Sequence, residues 1–270
     1  MADRIFSMAY LTAPSFAPPD MIVAASELGY GAVGLRLMPA MPGGAAQTLI
    51  GDPKMLRETR ARIEGTGVRV FDVEIIRITA GFRLHAFLPL MEAGYALGAK
   101  AILVAGDDPE EERLLDHYAQ LCLAAAGYGL TCDLEFMPWT AVKTASDAAR
   151  IVGGAAQPNA RVLVDALHFA RSGSTIEQIR ALPRQWLSYA QICDAPRIQS
   201  PTHEQLLHTA RSERLLPGEG DIRLAALFAA LPRDLPISVE IPSESRVARL
   251  GETEYARQAL AASRAAVEQL

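Results

Sequence analysis

Thr131-Cys132-Asp133-Leu134-Glu135-Phe136 is a short apolar run that finishes on a carboxylate, and the same outline returns three more times along the chain. The other runs are Arg161-Val162-Leu163-Val164-Asp165, Tyr189-Ala190-Gln191-Ile192-Cys193-Asp194 and Pro236-Ile237-Ser238-Val239-Glu240. Read as successive parallel strands of one closed sheet, they bring Glu135, Asp165, Gln191 and Glu240 to a single mouth, because the strand ends of a (β/α)8 barrel surround its axis. Four oxygen-bearing side chains gathered there suit a hard divalent cation.

On either side of these runs, apolar segments of strand length alternate with longer segments of helical period, the signature of repeated βα units. Ile5 to Tyr10, Ala32 to Leu37, Val68 to Ile75 and Ala101 to Ala105 supply the first four strands, and Trp186 to Ile192 the seventh. A first helix carries Met21, Ile22, Ala25 and Leu28 on one face and stops at Gly29. Further helices are expected over Pro53–Glu64, Leu84–Leu97, Pro109–Tyr128, Thr144–Val152, Thr175–Leu182, Ile222–Leu231 and Glu252–Gln269. Two segments exceed plain connections: a Pro/Gly-rich loop from Pro39 to Asp52, and a polar excursion from Arg197 to Gly220. Long loops at this end of a barrel cover the site. The count predicts a single (β/α)8 TIM barrel over residues 1–270. The rival, an open doubly wound sheet, normally carries a Gly-rich first turn, and no G-x-G-x-x-G follows strand one.

Composition supports one soluble domain. Half of the 270 residues are hydrophobic, enough to bury a large core. A net charge of −5 without a Lys/Arg run removes the footprint that nucleic-acid binding requires. No apolar stretch reaches the length of a membrane span, and Met1-Ala2-Asp3-Arg4-Ile5 lacks the pattern of a secretory signal. Cys122, Cys132 and Cys193 are widely spaced within apolar segments and read as core residues of a reduced compartment, hence a cytoplasmic location.

Glu135 and Glu240 fall on strands three apart around a ring of eight, so their carboxylates face each other across the mouth. For each acid singly, solvation or an ion pair with an arginine is the alternative. His168 follows Asp165 by three residues and turns back toward the same mouth, placed to ligate a metal or to hydrogen-bond a substrate oxygen. Arg36, Glu74 and Arg77 occupy the opposite side, where they bind substrate hydroxyls or a carboxylate, or pair with one another. Trp139 is a candidate wall. His203 and His208 are candidates for a lid. Pro217-Gly218-Glu219-Gly220-Asp221 lacks the Lys and Ser/Thr of a P-loop and reads as a tight turn, with Asp221 capping the next helix.

Leu134-Glu135-Phe136-Met137-Pro138, Val164-Asp165-Ala166-Leu167-His168, Gln191-Ile192-Cys193-Asp194-Ala195-Pro196-Arg197, Leu216-Pro217-Gly218-Glu219-Gly220-Asp221 and Val239-Glu240 together resemble the xylose-isomerase-like TIM barrels, the sugar phosphate isomerase/epimerase group related to endonuclease IV. In the ketose 3-epimerases of that superfamily, Glu, Asp, His and Glu from strands five to eight hold one divalent metal. The resemblance implies Glu135, Asp165, Gln191 and Glu240 as ligands, His168 as a substrate contact and Arg197 as an anchor for a substrate oxygen. Dimers are common among such barrels, which allows a homodimer here, while the residues themselves do not show an oligomeric state. Gln191 departs from the epimerase His, and a carboxamide oxygen shifts the site toward Mn2+ or Mg2+ and away from Zn2+. Bacterial 3-dehydroshikimate dehydratases resemble this chain in having Gln there. The trinuclear zinc cluster of endonuclease IV needs more histidines than the matching positions supply.

The expected activity is isomerisation or epimerisation of a small sugar or polyhydroxy carbonyl compound, with Glu135 and Glu240 both ligating the ion and moving the proton. A metal-dependent dehydratase of the 3-dehydroshikimate or inosose type is the second expectation. A noncatalytic sugar-binding barrel is the third.

Overall fold

Ala101-Ile102-Leu103-Val104-Ala105-Gly106 is buried along its whole length, which only a strand covered on both faces accepts. In the computed structural model, which describes residues 4–41 and 43–268, this run is the fourth of eight parallel strands. They are β1 (Phe6–Met8), β2 (Ala32–Arg36), β3 (Arg69–Ile78), β4 (Ala101–Gly106), β5 (Thr131–Glu135), β6 (Ala160–Asp165), β7 (Ala190–Ile192) and β8 (Ile237–Val239). Each pairs with its neighbour in sequence, and β8 closes on β1 through Phe6↔Ile237 and Met8↔Val239. The chain is therefore a single closed barrel, as its sequence predicts. Met1-Ala2-Asp3, Pro42 of the long loop and the expected helix end at Gln269 lie outside the described residues.

Local chemistry sets the helix ends. Pro18–Leu28 starts with proline in its first turn and ends at Gly29, whose φ of 87° lies in the left-handed region that glycine tolerates. Capping boxes open Ala145–Ala155 with Thr144 and Asp147, and His203–Ser212 with Thr202 and Gln205.

Several boundaries differ from the sequence reading. Strand β7 begins only at Ala190, because Pro183 starts a 3-10 turn over Arg184–Trp186. Pro89 restarts the third connection, dividing it into the 3-10 turn Leu84–Phe87 and the helix Leu88–Leu97. The excursion after β7 is not plain loop, for it holds the helix His203–Ser212. Short helices at Ala166–Arg171 and Glu244–Leu250 follow β6 and β8. Asp221 caps no helix: the next one, Leu224–Ala230, starts later, and the Asp221 carboxylate accepts the Arg197 N–H at 2.8 Å instead.

Most of the core lies between sheet and helices. Inside the barrel a smaller apolar cluster of Ile75, Ala101, Leu103, Ala105, Met137, Leu163 and Tyr189 packs the lumen. The β8–β1–β3 side of the lumen is hydrophilic. Ser7, Ser238 and Gln191 stand in register on neighbouring strands. Ser7 Oγ, Ser238 Oγ, Asp72 Oδ1 and Tyr189 OH are buried without a hydrogen-bond partner among the described residues. Gly34 makes room for Asp72, since a Cβ there would stand 2.8 Å from both carboxylate oxygens.

Candidate active site

Side chains alternate across a strand, so Asp133 and Glu135 both face the lumen from β5, and Glu135, two residues further along, reaches the carboxyl-terminal rim. Asp165 ends β6 and caps the helix Ala166–Arg171, accepting the His168 backbone N–H at 2.9 Å. That cap folds His168 back over the mouth. Its Nε2 lies 3.5 Å from Glu135 Oε1, and its ring meets Trp139 edge-on with centroids 4.9 Å apart. Glu135, Asp165 and His168 each offer a ligand atom, all within 4.8 Å of one another. Gln191 lies in β7, and Glu240 directly follows β8, its N–H bonded to Ile192 O at 3.2 Å. The four expected ligands thus share one end of the barrel.

The same end also holds a cation that the sequence reading missed. Arg214, 2% exposed, sends Nη1 to Asp165 Oδ2 at 2.7 Å and Nη2 to Glu240 Oε2 at 2.8 Å. Asp165 and Glu240 are therefore bridged by a guanidinium. Burial alone would lower the Arg214 pKa, but Asp165, Cys193 and Glu240 raise it well above its ordinary value. Burial likewise works against ionised Asp165, and Arg214 with His168 overrides it to hold the carboxyl below its ordinary range.

Glu135 lacks such a partner. Burial, with Glu240 and Asp165 nearby, pushes it well above the usual carboxylate range. Burial raises Glu240 to about 7, Asp165 and Glu74 adding to the rise and Arg214 opposing it. His168 is pushed down to about 4 by burial, which leaves a neutral imidazole at neutral pH.

Above these groups opens a cavity of about 360 Å³, lined by Glu135, His168, Arg214 and Glu240 together with apolar Ile75, Leu103 and Met137. Trp139 lines it too, as the sequence suggested. Arg36 and Glu74 reach it as an ion pair 3.2 Å apart, with the Arg36 guanidinium 4.6 Å above the Tyr10 ring. Arg77 pairs with Asp107 at 2.9 Å. Arg211 also lines the cavity and makes no salt bridge among the described residues, its recorded contact being Met41 Sδ at 4.0 Å. Burial and then the neighbouring Arg77 and Arg36 lower its pKa.

Arg197 is a correction. It is exposed and faces a separate surface groove with Arg171 and Glu177, away from the mouth. The turn after β7 points it outward, because its own N–H is tied to Asp221. His203 and His208 are exposed on the excursion helix and line no part of the cavity.

Glu135, Asp165 and His168 fit a metal ion, while Glu240, tied to Arg214, stands outside that group. Glu135 Oε1 and Gln191 Oε1 are buried acceptors with no hydrogen-bond partner among the described residues, and Arg214 takes only one oxygen from each of Asp165 and Glu240. Glu135, Asp165 and Glu240 would carry three negative charges when ionised, of which Arg214 balances one. A doubly charged ion balances the remainder.

The sequence profile of the family described as xylose isomerase-like TIM barrel matches residues 22–266. The chain belongs to this family. Solved structures of similar fold include the IolI protein with a zinc atom bound, at 20% identity and TM-score 0.80 over 98% of each chain. D-allulose 3-epimerase from Methylomonas sp., in complex with D-allulose, is 16% identical with TM-score 0.69 over 97% of each chain. The probable 3-DHS dehydratase AsbF of petrobactin synthesis, from Bacillus anthracis, is 13% identical with TM-score 0.75 over 95% of this chain and 97% of that one. No curated protein matches the chain. The xylose isomerase-like family thus accounts for the barrel and its order of strands. No helix among the described residues is long and apolar enough to cross a membrane.

Proposed function

We propose that this barrel is a divalent-metal-dependent isomerase or epimerase that acts on a small sugar or polyhydroxy carbonyl compound by proton transfer through an ene-diolate. The observation that carries the reading is the pair of buried carboxyl groups, Glu135 and Glu240, lining one cavity from strands three apart. Burial raises Glu240 to about 7 in the metal-free site, and a carboxyl near neutrality both gives and takes a proton. Glu135 and Glu240 flank the substrate carbon, one removing the proton and the other returning it.

Glu135, Asp165, Gln191 and Glu240 would hold the cation, and an all-oxygen set favours Mn2+ or Mg2+. When bound, the ion supplies the positive charge that lowers the cost of an ene-diolate. His168, kept neutral by burial, offers one N–H donor and one acceptor, and Trp139 packed edge-on holds its ring in place. Ile75, Leu103 and Met137 keep one wall dry, which strengthens every polar contact inside.

The test is hydrogen exchange. Ketopentoses, ketohexoses and inososes are incubated with the protein and Mn2+ in D2O, and deuterium beside the carbonyl is followed by NMR. Mn2+-dependent incorporation, lost in Glu240→Gln with an unchanged circular dichroism spectrum, is the expected result. Exchange with none of these compounds, or full exchange by the variant, would overturn the reading.

One observation favours a second reading, a lyase. Arg36 and Arg77 are balanced by Glu74 and Asp107, but Arg211 lines the cavity without a carboxylate partner, and a cation so placed suits a hydroxy acid better than a neutral sugar. Proton removal followed by loss of a β-hydroxyl would then give dehydration. Incubation with 3-dehydroshikimate and Mn2+ separates the two, because a catechol acid absorbs in the ultraviolet where an epimer does not. The three cysteines, all free and buried, fit a reducing cytoplasm.

A further inference from the structure

We propose that Arg214 is a positioning residue that pre-assembles Asp165 and Glu240 as half of a divalent-cation cage and shares with the ion the neutralisation of that cage. The inference rests on the metal-dependent reading above and concerns a residue outside the four expected ligands.

The first support is how completely the side chain is fixed. Nε donates to Ala210 O at 3.0 Å, Nη1 to Asp165 Oδ2 at 2.7 Å and to Glu240 O at 3.2 Å, and Nη2 approaches Glu240 Oε2 at 2.8 Å. A guanidinium engaged on three nitrogens cannot turn to a substrate. It acts instead on what it holds, the side chain that ends β6 and the one that directly follows β8.

The second support is how its backbone is presented. Arg214 N–H donates to Pro242 O at 2.8 Å, on the segment after β8. Its neighbour Leu215 exchanges both backbone bonds with Asp194 after β7, at 2.8 and 2.9 Å. The Asp194 carboxylate then accepts N–H groups of Ala195, Gly218 and Ile222. Arg214 is thus clamped between two strand ends, so its fork has a fixed origin from which to set both carboxylates.

Charge supplies the third support. When all three buried carboxyl groups are ionised, as ligation requires, one guanidinium leaves a deficit of two positive charges, which a divalent ion fills and a monovalent ion does not. Arg214 takes Asp165 Oδ2 and Glu240 Oε2, Asp165 Oδ1 accepts the His168 N–H, and Glu135 Oε1 and Gln191 Oε1 stay unpartnered. The arginine therefore leaves the Glu135 and Gln191 acceptors to the ion. Lysine, a point charge on a flexible stem, keeps the sign of the charge but not the two-pronged geometry.

The test compares wild type, Arg214→Met and Arg214→Lys by calorimetric titration of the metal-free proteins with Mn2+, well below their unfolding midpoints, so that lost stability alone does not move the result. The methionine variant should bind Mn2+ about 10- to 100-fold more weakly, the scale on which partners of metal ligands act. The lysine variant should fall between it and the wild type. If the methionine variant does not fold, the lysine variant carries the comparison. Affinity equal to or tighter than wild type in either folded variant would overturn the positioning role alone. A wild type that binds no Mn2+ would overturn the metal-dependent reading and the positioning role with it.

Discussion

Arg214 Nη1 stands 2.7 Å from Asp165 Oδ2, with the side chains 2% and 0% exposed. A pair so buried behaves unlike a surface bridge, because removing one member strands the other in a medium that cannot solvate it. Asp165→Asn should therefore lower unfolding free energy by about 3 kcal/mol, within the range seen when one partner of a buried pair is lost. Urea denaturation measures this. A loss below about 1 kcal/mol, the scale of exposed bridges, would refute the prediction.

His168 gives a pH-dependent prediction. Burial holds its folded pKa at about 4, against 6.5 for a free imidazole. Between those values the unfolded chain binds a proton that the native state refuses, so this contribution is complete above about pH 6.5 and is lost as the pH falls toward 4. The difference amounts to about 3 kcal/mol at the scale of 1.36 kcal/mol per pKa unit. Glu240 works in the opposite direction, its folded pKa being raised to about 7, so wild-type stability alone is a mixed signal. The stability of wild type minus that of His168→Asn, followed from pH 7.5 to pH 4.5, isolates the imidazole and should decline. A flat difference would count against a neutral buried His168.

Arg211→Ala addresses recognition. Arg211 is an exposed cavity-lining cation without a salt-bridge partner among the described residues, so its removal should leave the fold intact. For an anionic substrate KM should rise about tenfold or more, the cost of a charge-assisted hydrogen bond, with little change in kcat. For a neutral sugar KM should barely move, and the contrast distinguishes the two readings of the substrate.

Gly220→Ala probes the turn that carries Arg214. A Cβ at residue 220 would lie 2.4 Å from Asp194 Oδ1 and 2.5 Å from Ala195 O, and backbone cannot yield cheaply. A loss of about 1–3 kcal/mol, typical of overpacking, is expected in thermal or urea unfolding. Weaker Mn2+ binding should accompany it, since the Asp194 clamp sits beside Arg214. An unchanged unfolding midpoint would argue against the clamp.

The barrel was legible because its strands advertise themselves twice, as fully apolar runs and as runs that stop at Glu135, Asp165 and Glu240. Periodicity and strand-end chemistry are local, and sequence carries them openly. Arg214 was not legible, since its burial depends on backbone bonds to Pro242 and Asp194, far away in sequence. Within the polar excursion it looks like one more solvated charge. The available signal was the pair Leu215-Leu216 directly after it, an apolar step ahead of the Pro217-Gly218 turn. Arg211 escaped for the same reason, and Arg197 was misjudged because a turn residue two places beyond the buried Ala195 points wherever its backbone is tied. His168 reaches the mouth through the local Asp165 cap, a short-range feature that sequence displays.

Arg211 and Arg214 sit three residues apart on a segment stitched to the rim at both its Asp194 and Pro242 contacts. A chimaera that grafts this excursion from a relative would transfer ligand preference and electrostatic balance in a single step. Loop exchange would move both residues together, so a change at residue 211 alone is the way to alter the cavity wall without disturbing Arg214.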